Sequence, residues 1–274
     1  MTSLLFAALI VSAHARALQP GELAVFTITA PPTTQAVTLT AFNHEISGYR
    51  ADSEHWDALV GIDLDTAPGT YRVQIDAAAG GAPVDHATYD LIVRSKAFPT
   101  RQLKVDPAFV NPPATVEERI VTEAKELAAI WTRSAGERYW SHAFARPVPG
   151  PANSQFGTRS VFNGEPRAPH SGGDFLSGAG TPVLAPNAGR IVLARDLYFS
   201  GNTVVIDHGL GLFSLLAHLS ETDVHEGDQV VEGQVIGKVG ATGRVTGPHL
   251  HWAVRANGAR VDPVSLLAVL GPKS

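Results

Sequence analysis

Cysteine is absent from this chain of 274 residues. Its absence excludes disulfides, thiolate nucleophiles and cysteine-based zinc or iron sites, so a bound metal must be held by histidine and carboxylate side chains. An excess of positive charge is also absent, because 21 lysine and arginine residues stand against 26 aspartate and glutamate residues. Nucleic acid and anionic membranes are therefore disfavoured as partners.

The apolar run near the start, residues 4–11, is too short to span a bilayer as a helix. Small residues follow it, and Ala13-His14-Ala15 and Ala15-Arg16-Ala17 both fit a small-x-small cleavage site. We interpret residues 1–17 as a signal peptide, although the basic n-region of such leaders is missing. Export to the periplasm or the extracellular cell envelope is the expected consequence.

The length of the chain favours two modest domains over one large domain. In residues 18–97, short alternating segments such as 23–28 and 71–75 are separated by turn clusters such as Ala67-Pro68-Gly69. This spacing predicts a small β-sandwich over residues 18–97.

Residues 98–150 are interpreted as a connector that contains one helix. The pattern Thr115-x-x-Glu118 matches a capping box, which predicts that the helix opens there. Apolar side chains recur three or four positions apart along one face, which favours packing against a domain over a ligand-binding role. These side chains are Val116, Ile120, Ala124, Leu127 and Trp131.

Residues 151–274 consist of strand-like segments separated by glycines, and they show no helical periodicity of useful length. We therefore expect a second all-β domain of antiparallel type. The predicted fold class is mainly β, with a sandwich, a helical connector and a C-terminal antiparallel sheet domain.

Two histidine motifs in this second domain can supply the ligands of a metal site. His170 and Asp174 lie four residues apart across two glycines, which allow the chain to fold tightly enough for both side chains to reach one ion. His249 and His251 project to the same face if they lie on a strand, so one can bind a metal while the other faces a substrate. His218 lies in an apolar stretch, where an imidazole needs a hydrogen-bond partner.

The other histidines outside the N-terminal leader are interpreted as structural or surface residues. His208 stands at a strand end before a turn, where a structural role is favoured. Arg159 and Asn163 could line a substrate groove, but a solvated loop is the more common role for such residues. The remaining histidines lie in polar loops or outside the cluster: His44, His55, His86, His142 and His225.

Five motifs occur in a fixed order between about residue 154 and residue 263. They are His170-x-Gly-x-Asp174, Gly201-Asn202-x-Val-x-Ile-x-His208-Gly209, Ala217-His218-Leu219-Ser220, Gly227-Asp228-x-Val230-x-x-Gly233-Gln234-x-Ile236-Gly237 and Thr246-Gly247-Pro248-His249-Leu250-His251. In these motifs the chain resembles the M23 metallopeptidases, also called the LytM or lysostaphin-type endopeptidases. The resemblance does not extend to the N-terminal sandwich.

The resemblance implies a compact antiparallel β-sheet domain with an open groove. It implies one zinc ion bound by His170, Asp174 and His251, and catalytic roles for His218 and His249. It further implies a zinc metalloendopeptidase whose substrate is the peptide part of bacterial peptidoglycan. Which of the two catalytic histidines acts as the base stays open at this point.

The chain departs from the family pattern at two positions. Leu216 stands where a tyrosine usually precedes the catalytic histidine by two residues, which puts in doubt any hydrogen bond from a phenol there. Trp252 follows the last ligand, where phenylalanine is more common. Neither departure removes a metal ligand.

Two alternative functions are weighed against the peptidase. A non-catalytic LytM-type regulator, which activates other cell-wall hydrolases, is disfavoured because all five metal and catalytic positions are present. A lipoyl- or biotinyl-carrier-like domain is disfavoured because Lys238 lies within a glycine-spaced run and not at a hairpin tip. The bond cut, the oligomeric state and the role of the sandwich as a spacer, a lid or a partner-binding domain are left open.

Overall fold

A computed structural model describes residues 9–104, 112–153 and 156–272 of the chain. The predicted mainly β fold is confirmed, and the described residues form two helices, α1 (Ala114–Ile130) and α2 (Pro263–Leu270). The strands are β1 (Ile10–Ala15), β2 (Leu23–Thr29), β3 (Ala36–Ala41), β4 (His44–Ser47), β5 (Tyr49–Arg50), β6 (His55–Gly61), β7 (Gly69–Ala79), β8 (Ala82–Val93), β9 (Thr100–Leu103), β10 (Arg159–Phe162), β11 (Glu165–Pro166), β12 (Gly172–Phe175), β13 (Pro182–Leu184), β14 (Gly189–Leu197), β15 (Gly201–Gly209), β16 (Leu212–Thr222), β17 (Gln229–Val230), β18 (Val235–Val239), β19 (Leu250–Ala256) and β20 (Ala259–Val261).

The first eight strands form a β-sandwich as the sequence predicts, but β1 lies within residues 1–17, outside the predicted range of 18–97. One sheet has the strand order β1-β2-β6-β5 and the other has the order β4-β3-β7-β8, with antiparallel neighbours throughout. Strand β7 shows why the layers form, because Val73, Ile75 and Ala77 are buried while Arg72 and Gln74 on the opposite face are exposed. This period of two is the pattern of a sheet with one face in the core.

The C-terminal strands form a nine-stranded sheet whose main path runs β12-β19-β16-β15-β14-β17. Neighbouring strands pair antiparallel, as the sequence predicts. Sequence reasoning missed α2, which begins after Asp262. The Asp262 side chain accepts a hydrogen bond from the backbone N–H of Val264, and Pro263 occupies the first helical turn, so this short helix has a standard N-terminal cap.

The predicted connector helix exists, but its predicted start is wrong. Helix α1 begins at Ala114, so Thr115 lies inside the first turn, and Pro113 occupies the N-cap position without a side-chain cap. Proline suits a helix start because its missing N–H would have no helical partner there. The C-terminal end of the apolar stripe packs on β14, β15 and β16, where the Trp131 ring meets the Phe213 ring with centroids 5.3 Å apart. Neither helix of the described residues is long and apolar enough to cross a membrane.

The connector joins the second sheet domain at two places. Strand β9 pairs in parallel with β10, which lies a short loop before the histidine motif at residue 170. Trp140, Phe144 and Val148 are buried in the same core as the nine-stranded sheet. The domain boundaries at residues 97 and 150 therefore stay predictions, and the connector contributes to the second core.

The two sheet domains share an interface of apolar contacts and ion pairs. Leu23 and Leu59 of the sandwich lie in the core cluster of the second domain. On one side of this contact, Arg260 binds Asp63 and Asp65 with N–O distances of 2.6 and 2.7 Å. These charged contacts favour one orientation of the two domains, because guanidinium and carboxylate groups are planar and directional.

A second ion-pair group involves the segment that was interpreted as a leader. Strand β1 pairs along its whole length with β2, and Arg16 directly follows it. The Arg16 guanidinium lies 2.7 Å from Glu22 and 2.8 Å from Asp262, which are both buried. Lys96 also contacts Glu22, at 3.1 Å. The signal peptide stays a prediction, but cleavage after Ala15 or Ala17 would remove an edge strand and, in the second case, the Arg16 contacts.

A chain that begins at Leu18 is expected to be less stable than one that begins at Leu9. Loss of Arg16 leaves Asp262 without this partner and leaves Glu22 with Lys96 and the Ser265 side chain. The cost is expected to be below the roughly 3–5 kcal/mol of breaking a fully buried pair, because a third of the Arg16 side chain is exposed to solvent. Urea unfolding of the two chains, with Arg16→Met in the longer chain to isolate the ion pair, measures the difference. Equal unfolding midpoints would show that β1 and the Arg16 contacts are dispensable for stability. N-terminal sequencing of protein from the cell envelope would separately show whether, and where, the chain is cleaved.

Candidate metal and catalytic site

Three predicted ligand side chains converge at one point on the nine-stranded sheet. The His170 Nε2 atom lies 3.0 Å from His251 Nδ1 and 3.2 Å from Asp174 Oδ1. The distance from His251 Nδ1 to Asp174 Oδ1 is 3.1 Å. Among the described residues, these three side chains bring one ligand atom each to within 4.8 Å of the others, so together they could hold a metal ion.

The strand register explains this convergence. Asp174 of β12 pairs directly with His251 of β19, so their side chains stand side by side on one face. A side chain at Gly172 would place its Cβ 2.6 Å from the His251 ring, so only glycine allows the ring to lie there. His170 is held before the strand by its backbone N–H, which donates to the Thr158 carbonyl at 3.0 Å.

The ligand set fits zinc. Zinc takes histidine nitrogen and carboxylate oxygen at about 2.0–2.1 Å, which separates the ligand atoms of a tetrahedral site by about 3.3 Å, close to the separations found here. Burial acts to raise the pKa of Asp174, but hydrogen bonds from His170 and His251 outweigh it and hold that pKa well below its usual value. Burial lowers the pKa of His251, which favours the neutral form that binds metals.

The two predicted catalytic histidines stand beside the ligands. The His218 ring lies 5.1 Å from the His249 ring and 5.8 Å from the His251 ring, measured between centroids. His249 Nε2 lies 3.6 Å from Asp174 Oδ1. We call His170, Asp174, His218, His249 and His251 the histidine cluster.

Both rings are oriented in the same way by backbone carbonyls. The Nδ1 atom of His218 lies 2.9 Å from the carbonyl oxygen of Thr242, and Nδ1 of His249 lies 2.9 Å from that of Gly247. A carbonyl only accepts, so each Nδ1 carries the proton and each Nε2 of the neutral ring has a lone pair. The pKa of His218 is lowered to about 4, mainly by burial and to a smaller extent by the neighbouring His251. This imidazole is therefore neutral at pH 7 and able to accept a proton.

His218 adopts an unusual backbone conformation. Its φ angle is +65°, in the left-handed region that side-chain-bearing residues rarely occupy. The loop after β18 braces this turn, because the Thr242 hydroxyl donates to the Leu219 carbonyl at 2.8 Å and receives the Asn202 backbone N–H at 2.9 Å. The same threonine thus holds both the backbone beside His218 and its ring, which fixes the direction of the imidazole.

The side chains of the histidine cluster are packed but remain accessible. His170, Asp174, His249 and His251 keep between 14% and 20% of their side-chain surface exposed. A water molecule or a peptide can therefore reach them from solvent. Behind the cluster lies the sheet, because Leu250 and Trp252 point to the opposite face of β19 from His251 and are fully buried.

The structure places the other predicted residues outside the cluster. His208 is fully buried, where its ring nitrogens lie 2.7 Å from the Ala188 carbonyl and 2.9 Å from the Ser214 hydroxyl, as a structural histidine would. Asn163 has a φ angle of +51° in the turn between β10 and β11, a conformation that asparagine tolerates better than most residues. The remaining histidines lie elsewhere on the molecule, in contacts that do not involve the cluster: His44 near Gly258, His55 with Asp52, His86 with Asp76, His142 with Ser141 and His225 near Asp228.

The two departures from the family pattern fall in the core. Leu216 is fully buried and pairs with Trp252 across β16 and β19, so an apolar contact stands where a phenol is usual. Trp252 is also fully buried, and its indole nitrogen has no hydrogen-bond partner among the described residues. Lys238 lies within strand β18, and its ammonium group contacts Glu221. A carrier domain needs its lysine at an exposed hairpin tip, and Lys238 is not in such a position.

Sequence reasoning missed the groups that orient the rings of His218 and His249. The carbonyls of Thr242 and Gly247 belong to the loop 240–249, and a backbone carbonyl leaves no trace in residue identity. The repeated Thr-Gly pairs of that loop, at residues 242–243 and 246–247, were a signal of tight turns.

Comparisons with known proteins find matches within one peptidase family. The model of peptidase family M23 matches residues 168–263. A crystal structure from Pseudomonas aeruginosa described as a peptidase M23 aligns with a TM-score of 0.74 and 34% identity, over 94% of this chain and 97% of the other.

Two curated relatives match the same domain. Peptidoglycan DD-endopeptidase ShyA of Vibrio cholerae serotype O1 is 45% identical over 35% of this chain and 22% of its own length. DD-carboxypeptidase/endopeptidase Mpg of Neisseria meningitidis serogroup B is 47% identical over 35% of this chain and 22% of its own length. The match thus spans about a fifth of the length of these relatives.

Proposed function

The chain belongs to peptidase family M23, and on that premise we propose that it is a zinc-dependent endopeptidase that hydrolyses peptide bonds in bacterial peptidoglycan. The observation that carries the proposal is the convergence of the whole histidine cluster at one accessible point. The names of the curated relatives, a peptidoglycan DD-endopeptidase and a DD-carboxypeptidase/endopeptidase, support this substrate class. Export to the periplasm or cell envelope is part of the proposal, because peptidoglycan lies outside the cytoplasm.

His170, Asp174 and His251 would hold the zinc ion. Two neutral imidazoles and one carboxylate leave the site with a net charge of about +1. Bound zinc supplies a Lewis acid that lowers the pKa of water toward 7 and polarises a peptide carbonyl. Three protein ligands are the number typical of catalytic zinc sites, which keep a further position open.

His218 and His249 would handle the protons of the reaction. Hydrolysis requires a proton to leave the attacking water and another to reach the departing amine. Each imidazole is fixed through Nδ1 and has Nε2 available, so each can accept a proton at Nε2 and release it there. A protonated ring at this position also stabilises the negative charge that develops on the carbonyl oxygen.

Digestion of purified peptidoglycan tests this function. Zinc-loaded protein is expected to convert cross-linked muropeptide dimers into monomers, detected by mass spectrometry, and the conversion is expected to stop with a chelator and return with zinc. His225→Ala is a matched control, because this histidine is exposed and lies outside the cluster.

An unchanged muropeptide profile with zinc-loaded protein would contradict the proposal. If such inactive protein instead accelerated a second purified cell-wall hydrolase, the non-catalytic regulator would be the correct function. The masses of the released fragments identify the bond that is cut.

A further inference from the structure

A cavity of about 620 Å³ opens on the β-sandwich and is lined by residues of the sandwich alone. It lies where the turn between β3 and β4 meets the loop 65–67 and the first half of β7. The strand register explains this place, because Thr40 of β3 pairs with Gln74 of β7 and the turn at residues 42–43 follows two positions later. The volume falls within the range of about 300–1,000 Å³ that is usual for small-ligand sites. We call it the sandwich cavity.

Two aromatic rings form an apolar part of the cavity wall. The centroids of the Phe42 and Tyr71 rings lie 4.7 Å apart, and the ring planes are tilted by 51°. Both side chains are half-buried, because they pack on the core of the sandwich on one side and line the cavity on the other. The Tyr71 hydroxyl donates to the Ala67 carbonyl at 2.8 Å, which fixes the direction of its ring. The cavity therefore has an ordered aromatic surface.

The backbone at Phe42 is unusual for an aromatic residue. Phe42 and Asn43 form the two-residue turn between β3 and β4, with φ angles of +49° and +63°. A hairpin turn of this kind favours asparagine and glycine, and a bulky side chain in the left-handed region is rare. Strained residues of this kind cluster at ligand-binding sites. The turn here carries a ring that lines the cavity, in a place where a smaller residue would fit more easily.

The charged residues of the cavity wall balance one another. Asp65 contacts Arg260 at 2.7 Å, and Arg72 contacts Asp90 at 3.2 Å, so each has a partner of opposite sign. The other polar groups of the wall are neutral hydroxyls and amides, which both donate and accept hydrogen bonds. They belong to Thr40, Asn43, Thr66 and Gln74. The wall thus favours a neutral ligand with many hydrogen-bonding groups over an ion.

A sugar ring combines the two properties that this wall matches. One face of a pyranose presents C–H groups, which pack against the electron-rich face of an aromatic ring. Its edge carries hydroxyl groups that donate and accept, and an acetamido substituent adds an amide that pairs with asparagine or glutamine side chains. A peptide with free carboxylates is matched less well, because the charged groups of the wall already have partners.

We infer that the sandwich cavity binds a neutral saccharide, and that in the cell wall it holds N-acetylated sugar units of the glycan strand. The identity of the polymer rests on the proposed function, since the glycan strand is the part of the same substrate to which the stem peptides are attached. The ion pair of Asp65 with Arg260 joins the cavity loop to the second domain. A strand bound in the cavity is therefore held next to the domain that carries the histidine cluster.

The test is calorimetric titration of the full chain with two saccharides. The probes are the trimer of N-acetylglucosamine and peptide-free glycan strands prepared from peptidoglycan. Both are expected to bind saturably, the trimer at one site per chain, with the same affinity in the presence of zinc or a chelator. A synthetic stem pentapeptide is added as a competitor and is expected not to displace the trimer. Displacement would identify a peptide site and overturn the inference.

Variants of the full chain locate the binding site. Phe42→Asn removes the ring, while asparagine tolerates the positive φ angle, and it is expected to weaken trimer binding about 10-fold or more. Gln74→Ala changes an exposed side chain, and a decrease of about 3- to 10-fold is expected. Gln229→Ala is the matched control, because Gln229 is exposed on β17 of the second domain. Thermal unfolding shows that each variant is folded.

The inference and the proposed function fail in different ways. Absence of saturable trimer binding, or unchanged affinity in both Phe42→Asn and Gln74→Ala, would overturn the saccharide site even if peptidoglycan is hydrolysed. Binding of the trimer but not of the glycan strands would overturn the assignment to the cell-wall polymer. The expected binding without any hydrolysis would retain the site and overturn the peptidase. With active protein, Phe42→Asn is expected to raise KM for intact peptidoglycan more than it lowers kcat.

Discussion

Zinc and hydrolysis are expected to disappear together when His170, Asp174 or His251 is replaced by alanine. Each variant removes one of three converging ligand atoms, and two ligands bind a metal ion far more weakly than three. The loss of activity is expected to exceed the roughly 10²- to 10⁴-fold loss that follows removal of a positioned acid or base. Elemental analysis of the purified variants, beside peptidoglycan hydrolysis, measures both quantities.

The same experiment checks the assignment along β19. His249 and His251 both belong to the histidine cluster. Of the two, His251 is the one whose Nδ1 lies within 3.1 Å of both His170 Nε2 and Asp174 Oδ1. If His249→Ala lost zinc while His251→Ala retained it, the assignment of ligand and catalyst would be reversed. His208→Gln is an informative control for indirect effects, because His208 is buried in the same domain but belongs to a separate hydrogen-bond group.

Alanine variants of His218 and His249 are expected to keep zinc and lose turnover. Neither His218 nor His249 belongs to the group of three residues that could hold a metal ion, so the metal content should remain near one ion per chain. The expected decrease in kcat is about 10²- to 10⁴-fold for each variant, the range typical of a general acid or base. Stopped digestion of muropeptide dimers, analysed at several times, gives the rates.

A double variant separates shared from independent roles. If His218 and His249 act on the same proton transfers, the double variant is expected to be little slower than the slower single variant. Full activity of both single variants would contradict the proposed catalytic roles. His218→Asn serves as a further control, because asparagine tolerates the positive φ angle at this position while it lacks the basic nitrogen.

The fold could be predicted where one strand face is apolar. The alternation in β7 and the glycine-separated strands of the second domain indicated two antiparallel sheet systems. The start of α1 could not be located in this way, because Thr115-x-x-Glu118 matches a capping box but Pro113 takes the N-cap position. The strand β1 was hidden because an apolar run followed by small residues is also what a leader requires.

The site was easier to predict than the contacts around it. Histidine and aspartate carry their chemistry in their identity, so His170, Asp174 and His251 could be named from the ordered motifs. The pairing of Arg16 with Asp262 spans 246 positions, and no local pattern indicates it. The backbone carbonyls that orient His218 and His249 could not be predicted either, since every residue has a carbonyl and residue identity does not show which one accepts the hydrogen bond.

The interface between the sandwich and the second domain limits how the sandwich can act. A lid that swings open would have to expose Leu23 and Leu59 to water and break the Arg260 and Arg16 ion pairs at the same time. Such a movement carries a large free-energy barrier, so thermal fluctuation alone would seldom produce it. By these contacts the sandwich is a fixed part of the molecule, and a proposal that it regulates the histidine cluster would have to work without its swinging away from the second domain.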